Sequence, residues 1–160
     1  MPIVILFKQL IFILTGFVII YVDIKRNIIP DIITIPLIIL GLFFSLLTSE
    51  PSWQSSGIGA LFGYLFFFLI AWFYQKKTKE IGLGGGDVKY LAAIGAFLGF
   101  WGVIFVIFIS SGLALLTFLV RFLISKNKQR ILPFGPFLAV SGFLYMFWGH
   151  NFYLLISKNF

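Results

Sequence analysis

The sequence predicts an all-α polytopic integral membrane protein. It would be a single membrane-embedded domain over residues 1–160, with six transmembrane helices and both termini outside. Three observations predict this. The chain is 61% hydrophobic and 20% aromatic but only 11% charged, whereas a soluble domain carries about 25% charged residues. Apolar blocks of roughly 20 residues, the length needed to cross a bilayer, recur along it. The polar residues gather in short loops between those blocks, and no segment is long or polar enough for a second domain.

The first span covers residues 3–22, with Lys8 and Gln9 near one end; Lys8 is expected to snorkel to the interface. It has the length of a full span and no small-residue cleavage site after it, so it is not a removable signal peptide. A polar loop over 23–31 follows, holding Asp23, Lys25, Arg26, Pro30 and Asp31. The second span covers 32–47, where Pro30 and Pro36 suit a first turn and a kink. After the polar loop 48–56, with Glu50, Pro51 and Trp53, the third span covers 57–74. It contains Gly59-x-x-x-Gly63, a spacing that allows close helix packing and is given that role only. Residues 75–86 are polar again. Residues 88–124 are apolar throughout, far too long for one straight crossing, so Gly99-Phe100-Trp101-Gly102 is expected to be a tight turn between two helices. A basic loop over 125–130 leads to the last span, 131–148, which opens with Leu132-Pro133-Phe134-Gly135-Pro136.

The net charge of +7 would suggest nucleic acid in a soluble protein. Here its distribution reports orientation instead. Of the 12 Lys and Arg, all but Lys8 and Lys158 fall on the side that holds the loops with Asp23, Lys76 and Lys126. By the positive-inside rule that side is cytoplasmic, the partner surface is the lipid bilayer, and no nucleic acid is expected. Asp23, Asp31 and Asp87 then share the cytoplasmic face.

Composition also limits the chemistry. There is no Cys and a single His, His150. Disulfides and thiolate sites are excluded, and neither a zinc hydrolase nor a Ser-His-Asp triad finds its residues, so no metal and no cofactor is expected. Acid–base chemistry must come from Asp23, Asp31, Glu50, Glu80 and Asp87.

The stretch Gly82-Leu83-Gly84-Gly85-Gly86-Asp87-Val88-Lys89 places a carboxylate at the mouth of a membrane helix, where it is costly and a functional candidate. It lacks the Gly-Lys-Ser/Thr ending of a phosphate-binding loop. The structural alternative is a glycine hinge with Asp87 as helix N-cap. Asp23 ends the first span on the same face. Two carboxylates at one site can share a proton; the ionised one activates a water and the protonated one donates to the carbonyl under attack. Against this, Asp23 could pair with Lys25 or Arg26. Asp31 is a competing second carboxylate, although its place at a helix start favours a structural role.

Three stretches together resemble the type IV prepilin peptidase family of GxGD membrane aspartyl proteases. They are Asp23 followed by Ile29-Pro30-Asp31, then Gly84-Gly85-Gly86-Asp87-Val88-Lys89, then Pro133-Phe134-Gly135-Pro136-Phe137-Leu138-Ala139. The resemblance implies a catalytic pair, Asp23 and Asp87, supported by Gly84, Gly85, Gly86, Lys89, Pro30 and Asp31. Gly84 to Gly86 would give the loop freedom to bring Asp87 to the substrate. It implies an aspartic endopeptidase of the cytoplasmic membrane that cuts the basic leader from prepilin or pseudopilin precursors at the cytoplasmic face. Larger members of that family carry an amino-terminal extension with Cys-x-x-Cys motifs linked to methylation. This sequence has neither, so N-methyltransferase activity is not expected.

Two rivals of other classes are a small transporter or channel subunit, which needs polar residues at mid-bilayer, and an inactive relative serving assembly. A presenilin-like intramembrane protease shares the GxGD motif but not the other two stretches. Oligomeric state is not legible.

Overall fold

The structure, a computed structural model, describes residues 2–80, 82–124 and 132–157, with side chains between positions 3 and 149. The basic loop 125–130, the tail from 158 and the side chain of His150 lie outside the described residues. So do the expectations placed on Lys126, Lys128, Arg130 and Lys158.

Five helices follow one another: α1 (Pro2–Arg26), α2 (Asp31–Leu47), α3 (Trp53–Thr78), α4 (Gly85–Ile124) and α5 (Gly135–Ser157). Three of them, α1, α3 and α4, are long and apolar enough to cross a membrane; α2 and the described part of α5 are shorter apolar helices. This is the architecture of a helical membrane protein.

The ends of these helices follow from local chemistry. Asn27 takes φ 51° at the end of α1, and its N–H closes back on the Asp23 carbonyl, a left-handed cap that Asn tolerates. Pro30 stands just before α2 with φ −69° and ψ 138°, its ring fixing the φ. Ser52 caps α3 by accepting from the Ser55 N–H.

The break expected in the long apolar block falls at one residue. Gly99 takes φ +75° and ψ −177°, a conformation open to glycine alone. Phe100, Trp101 and Gly102 already belong to the second limb, so the expected four-residue turn is a single-residue kink inside α4. A Cβ at Gly99 would also sit 2.6 Å from Ser55 Oγ.

The first limb of α4 is the axle of the fold. Tyr90, Leu91, Ala93, Ile94, Ala96 and Phe97 are almost wholly buried, as an all-round apolar helix must be when others surround it. Its small residues let α3 come close. A Cβ on Gly59 would meet the Gly95 carbonyl oxygen at 2.9 Å, and one on Gly63 the Leu91 carbonyl oxygen at 2.8 Å. The Gly59-x-x-x-Gly63 spacing is therefore a helix-packing seam, as expected. Phe12 of α1 closes the other side, 5.3 Å from Phe97 and 6.1 Å from Phe143 between ring centroids.

The helices run alternately, so one end of the bundle collects the C-termini of α1 and α3 with the N-termini of α2, α4 and α5. All the aspartates lie at that end. Lys8, Glu50 and the Gly99 kink lie at the other.

Candidate active site

Asp23 sits in the last turn of α1 and is 4% exposed. Its Oδ2 accepts a 2.8 Å hydrogen bond from the backbone N–H of Gly135. Gly135 is the first residue of α5, whose leading N–H groups have no partner within the helix. One of those donors satisfies the carboxylate, and the positive end of the α5 dipole faces it. Asp23 makes no ion pair with Lys25 or Arg26; Lys25 Nζ instead donates to the Tyr21 hydroxyl at 2.6 Å.

Asp87 is the third residue of α4, not its N-cap. Gly84 holds the capping position, and the Val88 N–H returns to its carbonyl. Asp87 Oδ2 turns back onto the Gly84 backbone, the reach of a capping-box acid. Its Oδ1 is buried and has no hydrogen-bond partner. The two carboxylates, distant in sequence, lie close enough for their charges to act on each other.

One side chain sets this juxtaposition. Ile29, 5% exposed, wedges between the first turns of α4 and α5. A Cβ on Gly86 would meet the Ile29 carbonyl oxygen at 2.7 Å and its Cβ at 2.8 Å. A Cβ on Gly135 would stand 3.0 Å from Ile29 Cδ1 and 2.7 Å from Asp23 Oδ2. The three glycines before Asp87 thus differ: Gly86 is held by close approach, Gly84 faces Asp87, and Gly85 has nothing within 4 Å. Close packing rather than loop freedom accounts for Gly86.

Asp31 and Lys89 meet each other. Lys89 Nζ bonds Asp31 Oδ2 at 2.5 Å, the only ion pair among the described residues, tying the first turn of α2 to that of α4. Asp31 is therefore engaged outside the Asp23–Asp87 pair. With a third to a half of each side chain exposed, the pair contributes under ~1 kcal/mol. Lys89→Met is expected to lower the unfolding temperature by only a few degrees and to be non-additive with Asp31→Asn in a double-mutant cycle.

Sequence reasoning singled out Asp23, Asp87, Gly84, Gly85, Gly86, Lys89, Pro30 and Asp31, and the structure gathers all of them at one end of the bundle. Gly135 and Ile29 stand within the resembling stretches, but sequence reasoning gave neither of them a role. The signal for Gly135 was Gly-Pro at the opening of an apolar run, since Pro in a first turn marks a helix start with free N–H donors.

A family model described as the type IV leader peptidase family matches residues 10–120. The chain is 34% identical over 141 residues to the prepilin leader peptidase/N-methyltransferase of Aeromonas hydrophila, covering 88% of this chain and 49% of that one. Its counterpart in Burkholderia pseudomallei is 37% identical over 85% of this chain and 44% of its own. That of Neisseria gonorrhoeae is 39% identical over 82% and 46%. The chain spans about half the length of the curated relatives it matches. No solved structure matches it.

Proposed function

The chain belongs to the type IV leader peptidase family, and from that premise we propose that it is a membrane aspartic endopeptidase, with Asp23 and Asp87 as the catalytic pair. Its substrates would be prepilin or pseudopilin precursors, cut after their basic leader. The observation that carries this is that two carboxylates come together at one end of the bundle, Asp23 buried and Asp87 half-buried with one buried oxygen that has no hydrogen-bond partner.

Two carboxylates that share one site do not both ionise cheaply, so the pair holds one proton between them and titrates as a unit. The ionised carboxylate takes a proton from a water as its oxygen attacks the scissile carbonyl carbon. The protonated carboxylate donates to the carbonyl oxygen. As the tetrahedral diol collapses, the C–N bond breaks, the departing nitrogen takes a proton from one carboxyl, and a diol hydroxyl returns its proton to the other carboxylate, which restores the singly protonated pair. Gly135 N–H, Gly84 and Ile29 keep the carboxylates in place before substrate arrives.

A conduction path finds less support. Buried hydroxyls such as Ser45, Ser110 and Ser141 bond carbonyls of their own helices rather than lining a common channel. We place the protein in the cytoplasmic membrane as one domain with six crossings, the two limbs of α4 counting separately, both termini outward and the aspartates at the cytoplasmic face.

The test is the purified chain in lipid nanodiscs with a precursor bearing a basic leader, the product weighed by mass spectrometry. Release of the leader is expected, and the product mass also reports any added methyl group. Inertness toward leaders from several filament systems would sink the proposal. For orientation, single cysteines at Ser49 and Thr78 should react with an impermeant maleimide on intact cells only at position 49; labelling of position 78 alone would invert the topology.

A further inference from the structure

Lys8 was expected to snorkel outward, yet it is 6% exposed. Its Nζ donates one hydrogen bond, to the Glu50 carbonyl oxygen at 3.3 Å. No carboxylate stands within ion-pair distance of it, the Lys89–Asp31 pair being the only one among the described residues. A buried ammonium without a counter-charge loses far more in desolvation than one bond to a neutral carbonyl returns. The site therefore calls for an anion.

Lys8 lines a cavity of about 600 Å³. Gln9, Ser52 and Ser55 supply further polar groups there, and Phe97, Trp101 and Tyr145 supply an apolar wall. Ser55 Oγ accepts from the Phe100 N–H at 3.2 Å, which leaves its own proton free to donate. The cavity belongs to the end of the bundle opposite the aspartates: Asp23 lies fifteen residues (23 − 8) further along α1, ~22 Å at the rise of an α-helix. It therefore serves neither carboxylate directly.

We propose that this cavity binds an anionic amphiphile, with a phosphodiester oxygen on Lys8 and the apolar portion against Trp101 and Phe97. The donors are an ammonium, hydroxyls and a side-chain amide, the set that an oxyanion takes. The volume is many times that of a phosphate ion, and the aromatic wall gives a free ion nothing to bind. Glu50 also lines the cavity, and its negative charge nearby favours a monoanion over a dianion. A phospholipid headgroup with the start of its chain meets each condition, and such an end of a membrane bundle lies at headgroup depth.

The strongest competitor is Glu50 itself, swinging its exposed carboxylate onto Lys8. The experiment separates the two. The full chain in detergent is titrated with phosphatidylglycerol, phosphatidylcholine or inorganic phosphate, and binding is read by native mass spectrometry and by the unfolding temperature. Wild type is expected to retain one phosphatidylglycerol and to melt higher with it. Lys8→Met should bind it at least tenfold more weakly, Lys8→Arg should keep it, and Glu50→Gln should keep or tighten it. Phosphatidylcholine, whose headgroup carries its own cation, should bind more weakly than phosphatidylglycerol to wild type and equally to wild type and Lys8→Met.

Equal phosphatidylglycerol binding by wild type and Lys8→Met overturns the proposal. Loss of binding and stability in Glu50→Gln overturns it in favour of an internal ion pair. Full stabilisation by inorganic phosphate overturns the amphiphile and leaves a simple anion site. If Lys8→Met does not fold, Trp101→Ala replaces it. A tenfold weaker phosphatidylglycerol affinity there supports the site, and unchanged affinity overturns it.

Discussion

Asp87→Asn is expected to lower kcat/KM for leader cleavage by at least ~10³-fold, and Asp23→Asn to do the same, since a positioned acid or base contributes roughly 10²–10⁴-fold. The double variant should be no worse than either single one. A water activated by one carboxylate is useless without the proton held by the other, and residues that act as a unit are not additive. Neither substitution should unfold the protein. An asparagine keeps the shape of the aspartate it replaces, and in the Asp23→Asn variant the side-chain amide oxygen can still accept from Gly135 N–H. Each change also removes one of two neighbouring acids that are largely shielded from solvent. The unfolding temperature is therefore expected to hold or rise. Cleavage of more than about a tenth of wild type by both variants would make the aspartates structural.

The second large effect is at Gly86, with Gly85 beside it as control. Gly86→Ala would press a methyl against the backbone oxygen of Ile29 at 2.7 Å. No rotamer relieves a contact with main chain, so α4 must move away from the α1–α2 connection and carry Asp87 with it. Overpacking of this kind costs ~1–3 kcal/mol, and a displacement of about 1 Å at reacting groups costs on the order of 10²-fold in rate. Gly85→Ala meets nothing within 4 Å and should cut at nearly the wild-type rate. It occupies the x position of the GxGD pattern, and the open space there leaves room for a side chain. Gly135→Ala should resemble Gly86→Ala, because its methyl displaces Asp23 Oδ2 and breaks the 2.8 Å bond that holds it. The measurement is kcat for the three variants beside their unfolding temperatures. Equal activity of Gly85→Ala and Gly86→Ala would mean that the glycines serve flexibility after all.

The sequence by itself determined the class of the molecule and the chemistry open to it. Composition and the lengths of the apolar blocks follow from what a bilayer demands of each segment separately, so they are readable without knowing any contact. The absence of Cys and the lone His150 narrowed hydrolysis to carboxylates for the same reason, since chemical type belongs to a residue and not to its neighbours. The break near residue 99 was legible too, because glycine is the residue that such a kink requires. What each polar residue touches was not legible. Asp23 could have paired with Lys25 as easily as with Gly135, since the N–H that holds it comes from 112 residues away. Lys89 could have faced lipid, and its partner Asp31 is 58 residues distant. Lys8 looked free to reach the interface and is instead shut in by the α2–α3 loop. These choices were made by helix packing: Gly59, Gly63 and Gly86 let backbones approach closely, and that approach fixes which side chains share a space. Sequence spacing says which face of a helix a residue occupies, but only the crossing of two helices says what that face meets.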